Sequence, residues 1–215
     1  MPLKDYQDIV GSTAAVVTIA QFFSPLFICK KIVSQGNTNN VDPTPFVGGI
    51  GIGLLFLRHG YLLNDPAMIP VNLFAIGLNI IYFLIFLAYS DCRGAIFTNL
   101  VKSVVGACAI VSYTFIDPNN ERVLTVYGTM VTGLMFALIA APLKDLKEII
   151  KNQDTGSLPF PMILSGTVVM SLWFLYGVIL ENVFIIIQNG VGLLLSAVQL
   201  SLFVIYPSKP SKKVD

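Results

Sequence analysis

Charge is what this sequence has least of. Asp, Glu, Lys and Arg make up 12% of its 215 residues, against roughly 25% in soluble domains. Hydrophobic residues make up 55%, and the mean hydropathy is +0.78. Such a chain has too little polar surface to face water on all sides, so lipid is its expected solvent. With a formal net charge of +1 it also lacks the basic excess that nucleic acid requires. Three cysteines and one histidine make no metal-ligand cluster, and the chain carries neither a nucleophile and base constellation nor a phosphate-binding loop. Neither a cofactor nor an enzymatic activity is expected. No N-x-[ST] sequon occurs.

What the chain does have is long apolar runs. Seven windows, near 9–29, 44–63, 70–89, 95–116, 124–143, 160–180 and 183–206, are long enough to cross a hydrocarbon core of about 30 Å as helices of roughly 20 residues. Alternating strands of about ten residues, the mark of a membrane barrel, are missing. The expected class is therefore all-α, integral to the membrane and polytopic. No Asp or Glu falls in the middle of a window, whereas proton-driven carriers usually bury one as a relay. The spans thus offer no acid of the kind that relays protons.

Orientation follows from the basic residues. Placing the links after spans one, three and five and the tail on one side collects Lys30, Lys31, Arg93, Lys102, Lys144, Lys147, Lys151, Lys209, Lys212 and Lys213 there. Lys4, Arg58 and Arg122 remain opposite, and the acidic residues split evenly. By the positive-inside rule the N-terminus is extracellular or lumenal and the tail cytosolic. The first span is too long for the core of a cleaved signal peptide and lacks a basic leader, so it is expected to be retained. Cys29, Cys92 and Cys108 fall on the cytosolic side or within a span, leaving no lumenal disulfide. Arg58 and His59 read as a solvated lumenal edge.

Sliding the sequence by 117 positions aligns Pro25 with Pro142, Lys30 with Lys147, Thr38 with Thr155, Gly60 with Gly177, Asn72 with Asn189 and Tyr89 with Tyr206. Leu and Ile match cheaply in an apolar chain, but proline, glycine and asparagine do not. Spans one to three and five to seven are thus two copies of one unit, and two odd-numbered units keep the same orientation only if another span separates them. The expected architecture is seven transmembrane helices as two parallel three-helix repeats joined by an inverting linker helix. Its divisions are 1–90 for the first repeat, 91–123 for the linker, 124–206 for the second repeat and 207–215 for a short basic tail. Parallel repeats are typical of transporters, with the substrate site near the midplane at the repeat interface.

Several stretches carry a resemblance to a known family: "FFSPLFICKKI", "PF" at 45–46, "VNLFAIG" at 71–77, "AAPLKDLKEIIK", "LPF" at 158–160 and, most specific, "SLWFLYGVILENVFIIIQNGVGLLLSAVQL" at 171–200. The sequence resembles the SWEET sugar transporters, in their animal-like form, over nearly its whole length. The resemblance implies facilitative, bidirectional sugar transport by alternating access, with glucose or another hexose the expected cargo. A seven-helix amino-acid carrier is an alternative, but it would be expected to show Pro-Gln in spans one and five, where Pro25 and Pro142 are each followed by Leu. A non-transporting receptor or accessory protein is another, and it would need buried Arg or Glu.

Asn72 and Asn189 are the central pair. Each lies seven residues past a polar turn residue, Asp65 or Asn182, hence roughly 10 Å deep at 1.5 Å per residue. Asn79 and Ser196 follow seven residues later on the same face. A single such Asn is commonly explained by interhelical hydrogen bonding, worth about 0.6–2 kcal/mol. Two at equivalent positions favour a shared site. An amide both donates and accepts, as sugar hydroxyls do, and the resemblance implies that both face the sugar. Phe56 and Trp173, also 117 apart, offer aromatic faces for stacking on a pyranose ring, or else pack as an interfacial belt. Trp173 is the only tryptophan.

The resemblance further assigns pocket-size roles to Gln21, Met135 and Leu138. Ile52 stands where plant members often have Ser, and Phe56 where they often have Trp. Pro25, Pro45, Pro142 and Pro159 are hinges in the resembled family; Pro45 and Pro159 equally suit helix starts, and neighbouring Pro43 and Pro161 leave open which proline bends. The glycines of "FVGGIGIG" and Gly190 and Gly192 read as close-packing positions. Expected partners are a small neutral sugar and the lipid bilayer, with homo-oligomerisation open and no nucleic acid. The ending "KKVD" resembles a dilysine retrieval signal and equally suits a plain basic tail, so plasma membrane and Golgi membrane both remain.

Overall fold

The computed structural model describes residues 3–156 and 158–206, without the side chains of residues 3, 139–145 and 148. The tail with its "KKVD" ending and the side chain of Pro142 lie outside the described residues. A 3-10 turn at Leu3–Tyr6 precedes eight α-helices: α1 (Gln7–Gln21), α2 (Leu26–Gln35), α3 (Thr44–Leu63), α4 (Met68–Ala88), α5 (Arg93–Ile116), α6 (Asn120–Asn152), α7 (Phe160–Ile179) and α8 (Val183–Ile205). Among the described residues there is no strand. Six helical stretches among them are long and apolar enough to cross a membrane: Lys4–Gln35, Thr44–Leu63, Met68–Ala88, Arg93–Ile116, Phe160–Ile179 and Val183–Ile205. The expected span 124–143 lies within α6.

The first span is one helical stretch, Lys4–Gln35, interrupted at the proline expected to bend it. The helix breaks between α1 and α2 because Pro25 has no N–H to give to the carbonyl of Gln21. That carbonyl accepts instead from Ser24 N at 3.0 Å, and Leu26 N bonds Phe23 O at 3.0 Å rather than Phe22 O. The freed Phe22 carbonyl is taken by the Tyr82 hydroxyl at 2.8 Å. An unmet carbonyl in lipid costs several kcal/mol, so Tyr82 makes the break tolerable. The repeat-equivalent helix α6 continues past Pro142 to Asn152. Both helices stop at equivalent left-handed residues, Gly36 (φ 70°) and Gln153 (φ 51°).

The chain divides into two compact units, Ala15–Val131 in one and the residues up to Ala14 with those from Thr132 in the other. In the first, Cys29, Ile32, Phe46, Val47, Ile50, Tyr82, Phe83, Phe86 and Ile96 form a buried cluster from α2 to α5. The linker helix α5 packs into this unit: Ser103 Oγ donates to Val47 O at 3.3 Å. A Cβ on Gly51 would collide with the Ser103 hydroxyl, and one on Gly49 would come within 2.5 Å of Asn79 Oδ1. Gly49 and Gly51 thus sit at close helix contacts, as expected where lipid gives no hydrophobic drive between helices, whereas a Cβ on Gly48 would meet nothing within 4 Å. In the second unit Leu146, Ile149 and Leu202 join α6 to α8. The 3-10 turn there meets the α7–α8 turn through Lys4 Nζ and Glu181 Oε1, 3.7 Å apart.

Candidate functional site

Each candidate asparagine is placed by a capped turn, and the two turns are copies. After α3, Asn64 takes a left-handed conformation (φ 50°), which asparagine tolerates better than most residues. Asp65 N then bonds back to Gly60 O at 2.9 Å. The Asp65 carboxylate, almost fully buried, accepts from Ala67 N at 2.8 Å and Met68 N at 2.9 Å. It meets donors that the start of α4 leaves without helical partners. After α7 the same events recur 117 residues later. Glu181 is left-handed (φ 55°), Asn182 N bonds Gly177 O at 2.9 Å, and Asn182 Oδ1 accepts from Phe184 N at 3.0 Å and Ile185 N at 3.1 Å. A Cβ on Gly60 would sit 3.1 Å from Met68 Cβ, and one on Gly177 2.8 Å from Ile185 Cγ2. In both repeats, then, the glycine lets the next helix close on the previous one.

Asn72 and Asn189 therefore stand at the same place in α4 and α8. Asn72 Nδ2 donates to Met68 O at 2.8 Å, and Asn189 Nδ2 to Ile185 O at 2.9 Å. Both side chains are half-buried. One N–H of each amide is spent on its own helix, and the amide's remaining donor and acceptor capacity suits a hydroxyl. Seven residues on, Asn79 Nδ2 bonds Ala75 O at 2.8 Å and Ser196 is buried.

The expected site residues divide between the two units. The unit Ala15–Val131 holds Gln21, Pro25, Pro45, Ile52, Phe56 and Asn72, and the other holds Met135, Leu138, Pro142, Pro159, Trp173 and Asn189. Each unit thus holds one of the two asparagines and one of the two aromatics. Phe56 is half-buried against the cluster of Leu55, Ala107, Tyr127 and Val131. Half-buried Trp173 meets Tyr176 edge-on, ring centres 5.6 Å apart. Ile52, Gln21 and Met135 are half-buried and Leu138 is exposed. Pro45 lies in the first turn of α3, and Pro159 is the N-cap of α7, with Pro161 in its first turn. At these starts proline removes no helical bond.

Arg58 and His59 are corrected. His59 is fully buried, its ring 6.1 Å from that of Tyr127, and Tyr127 donates to Leu55 O at 2.8 Å. Arg58 Nε donates to Thr114 Oγ1 at 2.8 Å while its guanidinium lies 4.4 Å from the centre of the Phe115 ring. Arg58 ties α3 to α5 and His59 packs against α6 instead of marking a solvated edge, because their partners come from helices more than fifty residues away in sequence. Sequence reasoning also missed Gln188, which is buried and donates from Nε2 to Thr132 Oγ1 at 2.7 Å. The turn caps had a readable signal, since Asp65 and Asn182 are both helix-capping residue types 117 apart.

Fold and duplicated turns together define a helical protein with membrane-spanning helices, built from two copies of one unit. A family model described as "Sugar efflux transporter for intercellular exchange" matches residues 8–94 and again 123–211, one match per repeat. The sequence is 32% identical over 205 residues to Sugar transporter SWEET1 of Caenorhabditis elegans, covering 95% of this chain and 67% of that protein. It is 30% identical over 204 residues to Sugar transporter SWEET1 of Drosophila pseudoobscura pseudoobscura, covering 94% and 90%. A eukaryotic SWEET transporter solved at 3.7 Å resolution superposes with a TM-score of 0.84 at 25% identity, over 96% of this chain and 99% of that one. The chain belongs to the SWEET family.

Proposed function

We propose that the protein is a facilitative sugar carrier: a uniporter that moves mono- or disaccharides, glucose or another hexose foremost, down their gradient in either direction by alternating access. The observation that carries this reading is the pair of amides, Asn72 and Asn189, set by two copies of one capped turn. Both amides hold the sugar's hydroxyls, and Phe56 and Trp173 stack on its ring. Neutral amides suit a neutral solute and leave no ion behind. A carrier of this kind binds weakly, because it has to release what it captures. Ile52, Met135, Leu138 and Gln21 set pocket size.

The broken helix at Pro25 supplies bending in the first repeat, with Pro142 its counterpart; Pro45 and Pro159 act at helix starts. The divisions are a first repeat at 1–90, a linker at 91–123 and a second repeat at 124–206. The N-terminus is extracellular or lumenal and the C-terminus cytosolic, in the plasma membrane or the Golgi membrane.

Radiolabelled sugar uptake in reconstituted vesicles tests the reading, with counterflow and with an imposed proton gradient. Counterflow without gradient-driven accumulation is expected. Accumulation driven by protons overturns uniport, and no flux for any sugar favours a non-transporting binding protein.

A further inference from the structure

Position 188 is an inward-packed place in both repeats. Its equivalent, Val71, is buried to 4% exposure and Gln188 to 7%. An apolar side chain therefore suffices there for packing, yet the second repeat carries a primary amide. Burying an amide away from water costs about 1–3 kcal/mol unless a partner meets it, and here Thr132, itself buried, accepts from Nε2 at 2.7 Å. The first repeat has Ala15 where the second has Thr132, so the hydrogen bond has no counterpart there. It links α6 to α8, helices that also meet through the apolar contacts of Leu146, Ile149 and Leu202. Apolar packing alone lets a helix rotate or slip between similar arrangements, whereas a buried polar pair is met in only one register.

The neighbouring residue gives that register a use. Successive residues lie about 100° apart around a helix, so the side chain that fixes Gln188 against α6 also sets the direction in which Asn189 points. Gly190 follows directly, where a Cβ would lie 3.3 Å from the Phe174 ring, so α8 also packs closely on α7 at this level. We propose that Gln188 is a positioning residue for sugar binding: its hydrogen bond to Thr132 holds α8 in the rotation that presents Asn189 to the sugar. The inference rests on the reading of Asn189 as a sugar-binding residue. It gives the second repeat a device that the first repeat does not share.

The test measures KM and maximal rate of counterflow in reconstituted vesicles, using whichever of glucose, fructose, galactose and sucrose the wild type carries fastest. Gln188→Leu should raise KM about threefold to tenfold with the maximal rate within about twofold, because packing is kept and only the register is loosened. Thr132→Val should be worse, since it leaves the buried amide without its acceptor. Gln188→Leu with Thr132→Val together should behave like Gln188→Leu alone, because the two side chains act through one bond. Thr132→Ser keeps the hydroxyl and should restore the wild-type KM. Asn189→Ala is measured alongside. If Asn189→Ala loses transport while Gln188→Leu and Thr132→Val keep the wild-type KM, the positioning role is overturned and the site reading stands. If Asn189→Ala transports normally, both fall. Additive losses in the double variant also overturn the positioning role.

Discussion

In the first repeat the entering helix breaks at Pro25, and the carbonyl that the break frees at Phe22 is held by Tyr82 from α4. In the second repeat the corresponding helix runs unbroken from Asn120 to Asn152 and is tied to α8 by Thr132 and Gln188. The turns that precede the two asparagines show no such divergence: the glycine, the left-handed residue, the capping side chain and the amide recur at the same spacing with nearly the same distances. Duplication has left the part that places the amides intact while the fastening of the first helix has changed. Sugar contact is accordingly expected to be symmetric between the repeats and bending asymmetric.

The largest expected effect probes the symmetric part. Asn72→Ala and Asn189→Ala should each lower counterflow to below about a tenth of wild type, the loss that follows when a polar group in a site goes unpaired. Equal losses sharpen the comparison; a large loss at one asparagine and none at the other breaks it. Next come the glycines. Gly60→Ala and Gly177→Ala should each destabilise the protein by about 1–3 kcal/mol through overpacking, read by thermal unfolding in detergent. Gly177→Ala should be the worse, because its Cβ would meet Ile185 more closely than that of Gly60 would meet Met68.

The caps come third. Asp65→Ala and Asn182→Ala should each cost about 1 kcal/mol. Asp65→Asn should cost less than about 0.5 kcal/mol, because Asn182 already does the same work in the other copy.

The smallest effect belongs to the turn between α5 and α6, which lies outside the repeat. Asp117 accepts from Asn119 N at 2.9 Å, from the Tyr113 hydroxyl at 3.1 Å and from Arg122 Nε at 3.2 Å. Chiefly the Asn119 backbone bond, helped by Tyr113 and Arg122, holds its carboxyl below the ordinary aspartate range. A folded-state value below the unfolded one means that the stabilisation is complete above the ordinary range and is lost as pH falls through the lowered value. Asp117→Asn should therefore be slightly less stable than wild type at neutral pH and equal to it in strong acid. A difference unchanged by acid contradicts that assignment.

Much of the molecule was legible in the sequence because it rests on local or repeated patterns. Apolar windows located the helices, and the 117-residue shift aligned Gly60 with Gly177 and Asn72 with Asn189. What escaped depends on partners distant in the chain. Pro25 signalled a bend, but not that the carbonyl freed at Phe22 would be met by Tyr82, sixty residues away. Arg58 and His59 looked like a wet edge until Thr114, Phe115 and Tyr127 closed over them. Gln188 aligned with Val71 and so carried no repeat signal; its partner Thr132 sits on another helix.

The central claim is that amides from both repeats act on one sugar, and the chain's single tryptophan, Trp173, gives a direct way to measure it. Titrating the transported sugar against the purified protein should produce a saturable change in Trp173 fluorescence. The expected result is that Asn72→Ala removes this change, although Asn72 and Trp173 belong to different repeats. A titration in Asn72→Ala with wild-type amplitude and midpoint contradicts the shared site.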